Sequence, residues 1–151
     1  MGPNKIKQQG FYDVIFQLIY TCALSADFGY EDLKKVANES RARNLDLGVT
    51  GILLCKDGSV LQVLEGERSI VKNLYQRIIQ DTRVTNPLVL IQRTSTEREF
   101  PNWSMGYRNA DKDEAAAFDL TGETLANAFS KSVSPEIGTI GRTFARVNGL
   151  S

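Results

Sequence analysis

The chain has 151 residues, enough for one domain with a real core. Its 18 basic and 18 acidic side chains cancel, which argues against nucleic acid or an acidic membrane surface as a partner. It has no histidine and no long apolar run, so histidine-dependent dyads and triads are excluded, most zinc and iron sites are disfavoured, and no segment reads as a membrane span.

The opening MGPNKIKQQG lacks the apolar centre of a signal peptide, and residues 1–15 read as a leader. Phe16 to Cys22, FQLIYTC, alternates as a strand, with Phe16, Leu18, Tyr20 and Cys22 on one face and Gln17, Ile19 and Thr21 on the other. Glu31 to Asn44 predicts a helix and Val49 to Cys55 a second strand. KDG is a hairpin turn signal, so Ser59 to Glu65 predicts a third strand antiparallel to the second, with Glu65 and Gly66 as strand end and turn. Ser69 to Asp81 predicts a second helix with Ile70, Val71, Leu74 and Ile78 on one face. Pro87 to Arg93 reads as a fourth strand, STERE (Ser95 to Glu99) as a solvated loop, and Trp103 to Tyr107 as a short fifth strand.

After Asn109 the character changes. DKDEAAAFDL and TGETLANAF suggest short helices, and Ser134, Pro135 and Glu136 start another. The fold class is therefore α+β, a ferredoxin-like β-α-β-β-α-β plan with both helices on one face of an antiparallel sheet and an added fifth strand. Residues 16–109 form the expected domain, and 110–151 a helical extension covering the open face of the sheet, with a partner or dimer surface as the alternative. Cys22 and Cys55 have no metal or redox spacing and read as buried, reduced thiols of a cytoplasmic protein.

Several polar residues fall on apolar faces. The stripe Leu33, Val36, Ala37 continues at helical spacing to Ser40 and Asn44. The stripe Ile70, Leu74, Ile78 continues to Asp81, with Arg77 beside it. Each alone reads equally well as a residue bonding a helix end or turn, Tyr20 as a core tyrosine, and Trp103 and Met105 as sheet packing. Gln62 is harder to place, because a buried amide without a partner costs about 1–3 kcal/mol. If both strands turn these faces to the helices, Tyr20, Gln62, Asn44 and Asp81 converge in a groove flanked by Val36 and Ile78. Amides and a carboxylate in an apolar groove suit a flat heterocycle with amide-like edges, provided the strand register holds.

The segments LIYTC, SRARN, GVTGILLCKDG, LQVLEGE, YQRIIQD and REFPNWSMGY run in this order from about Phe16 to Arg108. In sequence and spacing they resemble the blocks of BLUF domains, the flavin-binding blue-light sensors. The resemblance implies FAD as cofactor, with FMN or riboflavin as tolerated alternatives. It implies that Tyr20 donates an electron and then a proton to the excited flavin, and that Gln62 rearranges its hydrogen bonds to give a red-shifted state. Asn44 would bond the flavin edge, Ser40 line the pocket, and Arg77 and Asp81 lie near the flavin and its tail. Trp103 and Met105 would relay the signal, with Cys22 beside Gln62.

Three positions depart from the family pattern: Arg43, where asparagine or histidine is common, Val84, where histidine is common, and Cys22, where serine is common. Residues 110–151 leave no room for a cyclase or phosphodiesterase, so the expectation is a non-enzymatic chain. Its signal would pass to a downstream protein or through self-association as a dimer or higher oligomer. A ferredoxin-like interaction module without light sensing is the competing reading. A small enzyme such as an acyl phosphatase is weaker still, because no phosphate loop is evident.

Overall fold

The computed structural model describes residues 14–56, 58–101, 106–109, 114–116, 135–136, 139–140 and 143. The elements in chain order are β1 (Ile15–Leu24), α1 (Tyr30–Leu47), β2 (Thr50–Lys56), β3 (Ser59–Gly66), α2 (Arg68–Ile79), β4 (Val84–Ser95), β5 (Gly106–Asn109) and β6 (Glu114–Ala116). The sheet order is β4-β1-β3-β2-β5-β6. The first four strands pair antiparallel, which is the ferredoxin-like arrangement.

Local chemistry sets the helix ends. The Gly29 N–H donates to the Asp32 carboxylate at 3.0 Å, closing the first turn of α1. Gly48 ends α1 with φ 69°, the left-handed conformation that glycine adopts without a Cβ penalty. The Glu67 carboxylate accepts from Ser69 N at 3.1 Å and so caps α2.

Period two sorts β1, β2 and β3 between two cores. Phe16, Leu18, Tyr20, Cys22, Leu53, Cys55, Val60 and Leu64 face the helices and pack with Ala37, Val71, Leu74 and Tyr75. Ile19, Ile52, Leu54, Leu61 and Val63 face the other way and pack with Phe100, Ile91 and Ile140. At Gly51 the β2–β3 approach is so close that a Cβ would stand 1.8 Å from the Val63 carbonyl oxygen. Cys22 and Cys55 are both buried, as expected, and neither is in a disulfide.

Several expectations shift. α2 ends at Ile79, so Asp81 lies in the turn beyond it, bonded to Arg83. β4 starts at Val84 and passes through Pro87, which an edge strand tolerates because an edge N–H has no ladder partner. The described fifth strand, Gly106–Asn109, runs parallel to β2. Glu114–Ala116, read as helical, is instead β6, antiparallel to β5. Pairing with a strand edge overrides the helix preference of alanine there. In the C-terminal segment Ile140 packs on the back-face core and Glu136 meets Arg93, residues 135–136, 139–140 and 143 are helical, and the other residues of the expected helical cover lie outside the described residues. No described helix is long and apolar enough to cross a membrane.

Candidate functional site

The site begins with register. Tyr20 on β1 stands opposite Gln62 on β3, and Gln62 stands opposite Leu53 on β2. All three point toward the helices. Both polar members are buried, and the Tyr20 hydroxyl donates to Gln62 Oε1. The amide thus meets the tyrosine with its acceptor end and carries its two N–H donors at the other end. The Tyr75 ring of α2 braces Tyr20 edge-on at 4.9 Å between centroids.

Above this pair lies a cavity of about 220 Å³ between α1 and α2. Tyr20, Cys22, Val36, Ser40, Gln62, Arg77, Ile78 and Asp81 line it, so eight of the expected site residues come together. Leu24, Phe28, Arg43, Leu53, Val60 and Val84 complete the lining. Phe28 comes from the loop before α1, where no periodicity points to it, and Leu24 from an extension of β1 past its expected end. The faces of Leu53 and Val60 follow from strand alternation alone. Asn44, fully buried one turn beyond Ser40, is not among the lining residues. Its backbone carbonyl accepts from Val49 N at 2.8 Å, tying the end of α1 to β2. Trp103 and Met105 lie outside the described residues.

Burial dominates the electrostatics. It raises the Tyr20 hydroxyl well above its ordinary pKa, with Cys22 and Tyr75 adding to the rise and Arg43 opposing it. Burial, and next the Cys55 thiol, push Cys22 up to about 11, so it is a neutral, weak donor. Burial and the neighbouring Arg77 charge lower the Arg43 guanidinium from its usual value. Asp81 goes the other way, because bonds from the Arg83 side chain and backbone N–H hold its carboxyl below the usual range. The Arg83 guanidinium in turn stacks 4.4 Å from the Phe28 ring centre.

The lining has the chemistry of a flavin site. Val36, Ile78, Leu53 and Val60 give the cavity apolar surface and Gln62, Ser40 and Arg43 give it polar atoms, the mixture that would suit the faces and edge of a flat heterocycle. One atom tests the fit directly. Arg43 donates from Nη2 to Ser40 Oγ at 3.2 Å, yet its buried Nε–H has no acceptor among the described residues. A donor in that state is costly unless a bound molecule accepts from it, and a flavin edge carries carbonyl and ring-nitrogen acceptors.

The comparisons agree with this chemistry. The family model described as "BLUF: Sensors of blue-light using FAD" matches residues 15–106. The beta subunit of a photoactivated adenylate cyclase from Euglena gracilis is 31% identical over 106 residues, 70% of this chain and 12% of that protein. The blue light- and temperature-regulated antirepressor BluF of Escherichia coli is 32% identical over 83 residues, 55% of this chain and 21% of that protein. The chain thus spans only about an eighth to a fifth of the length of these relatives. The dark-state structure of BlrB, a BLUF protein, superposes with a TM-score of 0.65 at 29% identity, covering 91% of this chain and 99% of that one. A buried tyrosine–glutamine pair under a cavity made for a flat heterocycle, in a chain matched over residues 15–106, leads to one assignment: the chain belongs to the BLUF family of blue-light sensors that use FAD.

Proposed function

We propose that this chain holds FAD between α1 and α2 and reports blue light through Tyr20 and Gln62. The observation that carries the reading is the Tyr20–Gln62 hydrogen bond at the cavity wall. Bound FAD supplies blue-light absorption and an oxidising excited state. Tyr20 is the electron donor placed nearest in kind, a phenol kept protonated by burial. Its proton sits on the bond to Gln62 Oε1, so a tyrosine that gives up an electron passes its proton along that bond. Gln62 has distinct donor and acceptor ends and can occupy two hydrogen-bond arrangements, by rotation or tautomerisation. The low-dielectric wall allows the two to lie a few kcal/mol apart, which suits a reversible switch.

Val36 and Ile78 would flank the ring, Ser40 and Arg43 would serve its polar edge, and Asn44, buried one turn beyond Ser40 and outside the lining, would join them if the bound ring reaches the end of α1. Arg77 and Asp81, both lining the cavity, would meet the flavin and its ribityl-phosphate tail. Arg43, Val84 and Cys22 are the positions at which retention and lit-state lifetime should differ from relatives with the commoner residues. FMN or riboflavin would occupy the same ring site. We assign the output to binding rather than catalysis, by a cytoplasmic partner protein or a change in self-association. Residues 16–109 would sense, and 110–151, with Trp103 and Met105, would pass the change on. The test is Gln62→Leu. It should retain flavin and lose the light-induced red shift. A normal, reversible shift in this variant would refute the switch.

A further inference from the structure

Five polar residues are buried among the described residues: Gln17, Ser40, Asn44, Gln62 and Glu65. Three belong to the cavity and the α1 end that borders it. The other two form a second centre on the opposite face of the sheet. Gln17 on β1, Glu65 on β3 and Thr50 on β2 stand in one cross-strand row. The Glu65 carboxylate is fully buried and collects four donors: Gln17 Nε2 at 2.7 Å, Thr50 Oγ1 at 3.3 Å, Glu99 N at 2.6 Å and Phe100 N at 2.8 Å. Arg98 closes around it, donating to Thr50 Oγ1, Glu65 O and Gly48 O.

Two features make this more than a satisfied core carboxylate. First, the row Tyr20–Gln62–Leu53 crosses the same three strands three residues away, on the other face. At 3.2–3.4 Å per residue the two rows are about 10 Å apart along β3. A rearrangement at Gln62 therefore acts on the strand that carries Glu65. Second, the groups joined to Glu65 lead to the segment after β4 and to Glu136. Glu99 and Phe100 begin the run toward Trp103 and β5. The Gln17 amide oxygen accepts from Arg93 Nε at 2.6 Å, and Arg93 pairs with Glu99 at 3.6 Å and with Glu136 at 3.3 Å.

We propose that Glu65 is the positioning residue that couples the light-sensing row to the output side, by holding the 96–100 segment on β3 and, through Gln17 and Arg93, the segment carrying Glu136. The inference rests on the light-sensor reading above. Its test separates the two, because colour and coupling are read independently on the flavin-loaded chain.

The experiment is amide hydrogen exchange over residues 96–100, in darkness and under blue light, with absorption recorded on the same samples. In the wild-type chain illumination should change the exchange of the Glu99 and Phe100 amides. Glu65→Gln should keep the yellow colour and the red shift, exchange these two amides about tenfold faster in the dark, and lose the light–dark difference. If Glu65→Gln does not fold, Gln17→Leu removes one donor and the link to Arg93 and should shrink the same difference. A red shift in the wild type with no exchange change at Glu99 and Phe100 would overturn the proposal. So would a variant whose exchange is faster but whose light–dark ratio is unchanged, because that is a purely structural carboxylate. No red shift in the wild type would overturn the sensor reading and this one with it.

Discussion

Two buried polar rows cross β1, β3 and β2, three residues apart and on opposite faces, and they are finished differently. On the back face every Glu65 oxygen meets donors from the protein, and the network runs on to Thr50, Arg98, Gln17 and Arg93. On the helix face Tyr20 donates to Gln62 at the wall of a cavity, beside a buried Arg43 N–H with no acceptor among the described residues. A closed polar centre fixes backbone, whereas one bordering a cavity is built around something else. The difference separates a coupling centre from a ligand site better than polarity alone.

The largest perturbation should break both rows at once. Gly51→Ala drives a Cβ against the Val63 carbonyl between the rows, at a cost above about 3 kcal/mol. Denaturant unfolding should show that loss, together with failure to retain flavin. A stability within experimental error of wild type would mean that β2 and β3 are not as close as described.

Next in size, Glu65→Leu attacks the closed centre alone. It strands the Glu99 and Phe100 N–H groups and the Gln17 amide, for a loss of about 3 kcal/mol. Burial raises the Glu65 pKa, against the donors from Glu99, Gln17 and Phe100 and the Arg98 charge. A raised carboxyl pKa means that this group favours folding most below its unfolded pKa, and that the contribution fades as pH rises through the folded value. The stability curve of wild type relative to Glu65→Leu, followed upward from pH 4, checks that sign.

Arg43→Met sharpens the contrast in the opposite sense. It removes a buried N–H that has no acceptor among the described residues, so the flavin-free chain should be unchanged or gain about 1 kcal/mol. The same change should weaken flavin binding about tenfold, if the flavin edge accepts that bond. Titration of flavin into the apoprotein and thermal unfolding of the same sample read the two effects. Loss of stability with no change in affinity would place Arg43 with the structural residues.

The smallest effect belongs to the cavity mouth. Arg83 holds the Asp81 carboxyl below its usual range, so the pair stabilises above the unfolded carboxyl pKa of about 4 and is lost as pH falls through the lower folded value. Asp81→Asn should differ slightly from wild type at neutral pH, and the difference should close on acidification. Both partners are more than a third exposed, so salt should erode it too.

The residues of the ligand row were legible in the sequence because strand alternation is local. FQLIYTC and SVLQVLEG put Tyr20 and Gln62 on the helix-facing side once the hairpin is set. Helical spacing likewise carried Val36, Ser40, Ile78 and Arg77 to the cavity. The closed row was not legible. A glutamate at a strand end reads as solvated, and STERE reads as a loop in water. STERE is that loop, with Thr96 and Glu97 exposed, and the burial of Glu65 follows from the chain after β4 folding back so that the Glu99 and Phe100 N–H groups find it, 34 and 35 residues away in sequence. Asp81 was placed on the correct surface but on the wrong element, since Arg83, two residues on, draws it into a turn.

The most direct test of the central claim is the visible spectrum of wild type and Tyr20→Phe, in darkness and just after blue light. The account predicts two yellow proteins, a small red shift in wild type that reverses in darkness, and none in Tyr20→Phe. A wild type without the shift, or a Tyr20→Phe chain that shifts and recovers normally, would contradict it.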